Sequence, residues 1–236
     1  DQQGKSTEAL EWLGLALSIT LSIKDKENTA IIQLGLGVVY ENLGKYTQSM
    51  SLYQAALEHW RQTENFIWLS NLLNNLGVLQ HITGDYKAAI SSYEMALDYA
   101  HRSGYNRIQA FILTGIGDIY IELNAMDEAL HAYQQAGSMA QKLHIHSLQV
   151  YLHTQEAVIA SLKGNFQESY RLIETARATA LQEAMSMEIH LCDLLLLKVD
   201  RVAGCSVTSL ALRQRAVLAD LTRLLPRLRV GELDLI

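Results

Sequence analysis

Residues 73–96 read LNNLGVLQHITGDYKAAISSYEMA, and residues 113–136, forty positions on, read LTGIGDIYIELNAMDEALHAYQQA. The two stretches share few letters but place the same kinds of residue at the same steps. Each carries an apolar pair, Leu73 and Leu76 or Leu113 and Ile116, followed at once by Gly77 or Gly117. Each then passes Gly84 or Asn124, Ala89 or Ala129, Tyr93 or Tyr133, and Ala96 or Ala136. Outward in steps of 40, the turn position runs Gly4, Gly44, Gly84, Asn124, Gly164, Gly204. Gly and Asn are the residues that most readily take the left-handed backbone needed just after a helix ends. A second column, Ala16, Ala56, Ala96, Ala136, Ala176, Ala216, never varies, and a small residue once per helix marks a close approach of two helix axes. Ala9, Ser49, Ala89, Ala129, Ser169 and Ser209 form another small column. Leu13, Tyr53, Tyr93, Tyr133, Ile173 and Arg213 form a mostly large one, as do Leu10, Met50, Ile90, Leu130, Tyr170 and Leu210. Steps of three, four and seven between these columns put them on one helical face.

A second helix precedes each turn. It contributes Gly37, Gly77, Gly117, Ala157 and Leu197 in one column, with Leu36, Leu76, Ile116, Glu156 and Leu196 just before. Each unit is therefore a helix A, a Gly turn, a helix B and a polar turn such as Thr63-Glu64-Asn65. The expected units are 26–62, 66–102, 106–142, 146–182 and 186–222, preceded by a lone helix B at 6–22. Together they make one all-α repeat domain over 1–222, with 223–236 as a tail or linker. The only Pro, Pro226, lies outside every predicted helix, and no Asn-Gly or Asp-Gly hairpin dipeptide occurs.

Gln33-x-x-Leu36-Gly37-x-x-Tyr40 followed by Ser49, Tyr53 and Ala56 resembles the tetratricopeptide repeat, with Gln33 where a Trp is common. So do the corresponding residues of the next two units. The resemblance implies a right-handed α-solenoid of antiparallel helix pairs, about 11 helices in all. The usual Pro after helix B is missing, and the unit is longer than the commonest form, which suits longer helices. The edges depart from the pattern: Glu156 stands in the Leu column, and Leu197, Cys205 and Arg213 break others. End units of a solenoid differ because one face meets water or another domain. The first helix B lacks its own helix A, so its outer apolar side, including Trp12 and Leu15, is expected to be uncovered. A chain that opens on Asp1 is expected to belong to something longer.

Composition bounds the function. The formal net charge of −6 argues against general nucleic-acid binding. The charge is uneven, −9 over residues 1–200 and +3 over 201–236, where Arg213, Arg215, Arg223, Arg227 and Arg229 cluster. That cluster reads either as a solvated face or as a dock for an acidic partner. Two cysteines, Cys192 and Cys205, without a CxxC fit neither a disulfide framework nor a zinc site, and point to a reducing cytoplasm. No run of eighteen apolar residues exists, so no membrane span is expected.

Two motifs mimic chemistry. Gly4-Lys5-Ser6-Thr7 looks like the end of a P-loop, but the repeat places it in the same turn as Gly44-Lys45-Tyr46. His144 and His146 near His153 could suggest metal, yet no carboxylate or Cys clusters beside them. No nucleophile has a recognisable base partner, so no enzyme, cofactor or metal is expected.

In the tetratricopeptide family the A helices line a concave groove, and the resemblance carries its contact positions onto this chain. They are Ile31, Leu34, Gly35 and Val38, then Asn71, Asn74, Asn75 and Val78, then Phe111, Thr114, Gly115 and Asp118. Tyr151, Thr154, Gln155 and Val158 follow, and then Leu191, Leu194, Leu195 and Lys198. The resemblance gives Asn75 the role of gripping a peptide backbone, which an amide can do as donor and acceptor. The alternative for Asn74 and Asn75 is a brace between helices. The first four units carry no groove Lys or Arg at these positions, which disfavours a clamp for a terminal carboxylate. The longer unit is similar to the repeat domains of maltose-activator-like ATP-dependent bacterial transcriptional regulators. That implies a sensor or interaction arm that takes a protein or peptide segment, or a small-molecule inducer. The other reading is a free-standing adaptor or peptide receptor, similar to kinesin light chains, polarity adaptors and quorum-peptide receptors. Self-association through the uncovered first helix is also expected.

Overall fold

A computed structural model of the protein describes residues 2–204, with side chains from Thr7 onward. Among the described residues there are ten α-helices. They are α1 (Gln2–Ser22), α2 (Lys26–Asn42), α3 (Tyr46–Thr63), α4 (Phe66–Ile82) and α5 (Tyr86–Ser103). Then come α6 (Asn106–Glu122), α7 (Met126–Lys142), α8 (His146–Leu162), α9 (Phe166–Gln182) and α10 (Ser186–Val202). The predicted helix B of the last unit, Cys205, the Arg cluster and the tail lie outside the described residues. The chain forms two compact units that divide inside α7, one ending at Ala132 and the other starting at Tyr133.

Four helix starts, those of α2, α4, α5 and α9, carry side-chain caps. Asp25, Asn65, Asp85 and Asn165 accept from the backbone N–H of Asn28, Trp68, Ala88 and Glu168, at 3.1, 3.4, 3.1 and 3.3 Å. Such a cap stabilises a helix by about 1 kcal/mol. Helix ends are set by one residue in the left-handed region. Gly44, Gly84, Asn124, Gly164 and Gly204 take φ of 70, 82, 58, 76 and 78°. The next N–H then reaches back to the last turn, as Lys45 N–H does to Tyr40 O at 2.8 Å and Asp85 N–H to Gln80 O at 2.9 Å. Gly4 departs from the rest of its column. The backbone is helical from Gln2, so Gly4-Lys5-Ser6-Thr7 lies inside α1 rather than in a turn. Among the described residues no helix precedes Gly4 whose end it would cap.

In the first unit α1 packs on α2, α2 on α3, and so on to α6, while the A helices α2, α4 and α6 also touch in sequence. Its core threads Tyr53, Trp60, Leu72 and Tyr93 between the helices, with Ala56 and Ala96 fully buried. Tyr93 explains the glycines around it. A Cβ on Gly77 would lie 2.6 Å from its Cε1, and one on Gly115 would lie 2.5 Å from its Cζ. Only Gly lets both A helices close on that ring. In the second unit α8, α9 and α10 pack around Leu172, Ile173, Ala176, Cys192 and Val199. Burial pushes the Cys192 thiol up to about 11, as expected of a packing cysteine.

The outer side of α1 is open. Trp12 is 65% exposed, and Leu15, Ile19 and Ile23 are more than half exposed. The same repeat position as Trp12 is buried at Ser92, Ala132 and Leu172.

Candidate functional site

Of the three A helices in the first unit, α4 and α6 carry its candidate contact residues. Asn71 is half-buried, and its Nδ2 donates to Ile67 O of its own helix at 3.0 Å. Asn74 and Asn75 are half-buried neighbours, and Asn74 Nδ2 donates to Asn75 Oδ1 at 3.3 Å. The long bond between adjacent amides leaves further donor and acceptor capacity on both. On α6, Arg107 stacks toward the Phe111 ring at 5.8 Å from its centroid. Thr114 turns inward: it is 7% exposed, and its hydroxyl donates to Ala110 O at 2.8 Å. Asp118 is half-buried. Burial, then the negative fields of Asp118 and Glu41, hold the Tyr93 phenol above its ordinary range. In the second unit Tyr151 is exposed on α8, Thr154 donates to Tyr151 O at 2.6 Å, and Gln155 is half-buried.

The histidines do not converge. His146 Nδ1 pairs with Glu183 Oε1 at 2.5 Å, and His144 stands edge-on to the His146 ring at 6.2 Å. Among the described residues no three His, Cys, Asp or Glu side chains could hold a metal together. Nor is any helix among them long and apolar enough to cross a membrane.

A cleft of about 510 Å³ opens in the second unit. From α7 it is lined by Gln134, Gly137 and Gln141, from α8 by Gln149, His153 and Glu156, and from α9 by Thr175 and Thr179. Two of its walls are B helices, so it is separate from the A-helix positions. His153 Nδ1 is buried there without a hydrogen-bond partner. Burial, then the positive field of Arg171, holds its imidazole below the usual value. Burial raises the Glu156 carboxyl, opposed by Arg171 and reinforced by Glu168. Nothing in the sequence marks this cleft except Glu156, which stands in a Leu column as an end-unit departure and faces the cavity in the fold.

Paired antiparallel helices every 40 residues, with Gly-capped turns and Tyr-against-Gly packing, define a tetratricopeptide-type helical repeat protein. The model of the MalT-like TPR region matches residues 2–211, and the chain belongs to that family. Solved structures agree on the fold. BtubC (BKLC) from P. vanneervenii aligns with a TM-score of 0.76 at 17% identity, over 93% of this chain and 92% of that one. The apo form of RapI aligns with a TM-score of 0.78 at 16% identity, over 94% and 80%. A putative kinesin light chain from Podospora anserina aligns with a TM-score of 0.62 at 15% identity, over 81% and 94%. No curated protein matches in a sequence comparison.

Proposed function

We propose that this repeat region is the sensor or interaction arm of a larger bacterial signalling or transcriptional regulator, working in the cytoplasm. The observation that carries the reading is the family match over residues 2–211. The region is a binding scaffold, and its role is to convert occupancy into a change that flanking domains read. We assign the partner, a protein or peptide segment, to the A-helix face of the first unit, around Asn71, Asn74, Asn75, Phe111 and Asp118. The paired amides of Asn74 and Asn75 support this, because a peptide backbone offers matching donors and acceptors. Thr114 contributes to the wall rather than to contacts, since its hydroxyl is already used.

The test is selection from a random peptide library against the wild-type chain and the Asn74→Ala/Asn75→Ala variant. The expected result is a family of extended binders that lose tenfold or more in affinity, about 1.4 kcal/mol, while the variant keeps its melting midpoint. Equal affinity at equal stability removes the two residues from the site. The same amide pair also favours the second reading, a free-standing adaptor or peptide receptor. The gene separates the two: a nucleotide-binding or DNA-reading domain encoded beside this region supports the regulator, and neither supports the adaptor. The open side of α1, with Trp12 and Leu15, fits self-association. A monomer at every concentration in sedimentation velocity removes that part.

A further inference from the structure

The cleft of the second unit is a local break in the repeat. Step Gly137 back by 40 and the column reads Leu97, Leu57, Leu17. Step His153 back and it reads Leu113, Leu73, Gln33; step Glu156 back and it reads Ile116, Leu76, Leu36. Three positions that are apolar in both of the two preceding repeats thus change together, to a gap, an imidazole and a carboxyl, and all three replacements line one cavity. Packing does not require the gap. A Cβ on Gly137 would meet nothing nearer than Leu152 Cδ1 at 3.9 Å, an ordinary contact. A mid-helix Gly costs about 1 kcal/mol against Ala, and half-burying an acid costs more. Costs that coincide in space, with no packing benefit, are characteristic of a binding site.

The lining specifies the ligand's chemistry. Thr175 spends its proton on Arg171 O at 2.8 Å and Thr179 on Thr175 O at 3.1 Å, so both present lone pairs to the cleft. His153 Nδ1, in the Nε2-protonated tautomer, is a further acceptor without a partner. Gln134, Gln141 and Gln149 add amides, each able to turn its oxygen to a donor-rich ligand. The cation whose field reaches Glu156 is Arg171, and its guanidinium is committed to Glu168 by two bonds of 2.7 and 2.5 Å. The cleft is therefore rich in acceptors around a partly desolvated carboxylate. An anion would meet that carboxylate, and a neutral polyol would leave its charge uncompensated. A donor-rich cation satisfies both the charge and the acceptors.

We propose that this cleft binds a small organic ammonium ligand, an aliphatic amine or diamine, with its ammonium on Glu156 and the Thr and Gln oxygens, and its chain in the space left by Gly137. The volume lies within the usual range for small-molecule sites, roughly 300–1,000 Å³. The proposal stands on the second unit alone, independently of whether the A-helix face takes a peptide.

The test is calorimetric titration of the whole chain with 1,4-diaminobutane, and with 1,4-butanediol as the uncharged isostere. It is run at about 0.15 M salt, where charges more than roughly 8 Å apart are screened. The expected result is saturable one-to-one binding of the diamine and none of the diol. Glu156→Gln and Gly137→Leu should each weaken the diamine tenfold or more while melting no lower than wild type. Gly137→Leu restores the Leu that stands at this position in the three preceding repeats and leaves every charge in place, so it separates cleft binding from attraction to an acidic surface. Absence of saturable diamine binding overturns the proposal. So does equal binding of the diol, or wild-type affinity in a folded Gly137→Leu variant.

Discussion

Two glycines with the same helical backbone have opposite meanings, and their neighbours decide which. Gly77 holds its helix against Tyr93, where a methyl group would intrude to 2.6 Å. Gly137 faces a cavity. Gly77→Ala should therefore destabilise the fold by about 1–3 kcal/mol through overpacking. Gly137→Ala should stabilise it by up to about 1 kcal/mol through helix propensity. Urea denaturation of the two variants checks both signs. Glu156 offers a test by pH. Its folded pKa is raised, chiefly by burial, with Glu168 adding and Arg171 opposing. A raised acid pKa means that the folded state holds the proton more tightly, so the penalty of the charge appears as pH climbs past the ordinary value of 4.5. Glu156→Gln should raise the melting midpoint at neutral pH and leave it nearly unchanged at pH about 4, below both values. A loss of stability at neutral pH would mean that the carboxylate is well paired. Neither Gly137 nor Glu156 was readable as a site from the chain alone. A single odd residue in a column looks like drift, and only the fold shows that three odd residues line one cleft.

At the scale of the helix pair, half of the turn code was legible. The A-to-B turns carry Gly or Asn at 44, 84, 124, 164 and 204, and every one has positive φ. The B-to-A turns are left-handed just as regularly, at Lys24, Glu64, Gly104, His144 and Ala184, with φ of 59, 51, 68, 52 and 53°. That second column is invisible in the letters because four of its five residues have a Cβ. The hydrogen bonds that follow it offset the cost. Asp25 N–H reaches Thr20 O at 2.9 Å, and Met185 N–H reaches Ala180 O at 2.8 Å. A left-handed non-Gly residue costs about 1–2 kcal/mol. Ala184→Gly should accordingly stabilise the second unit by about 1 kcal/mol, a gain that thermal or urea unfolding would register. No gain would mean that the turn is not strained.

For the whole molecule, the periodic columns were enough to identify the fold, because each column reports one geometric demand repeated along the chain. Tyr53, Tyr93 and Tyr133 are buried to within 1%, and their spacing alone told that they face a core. The candidate binding face was legible only through resemblance. Residues proposed to meet a partner are not chosen by packing, and no packing rule selects Asn74 over Leu34. On the proposed function, the A-helix face of the first unit receives an extended partner. Amide hydrogen exchange on the chain with and without its tightest library-selected peptide tests it most directly. The account predicts added protection on α4 around residues 71–78 and on α6 around 111–118, with α3 and α5 unchanged. Protection confined to α3 and α5, or none on α4 and α6 at saturating peptide, would contradict it.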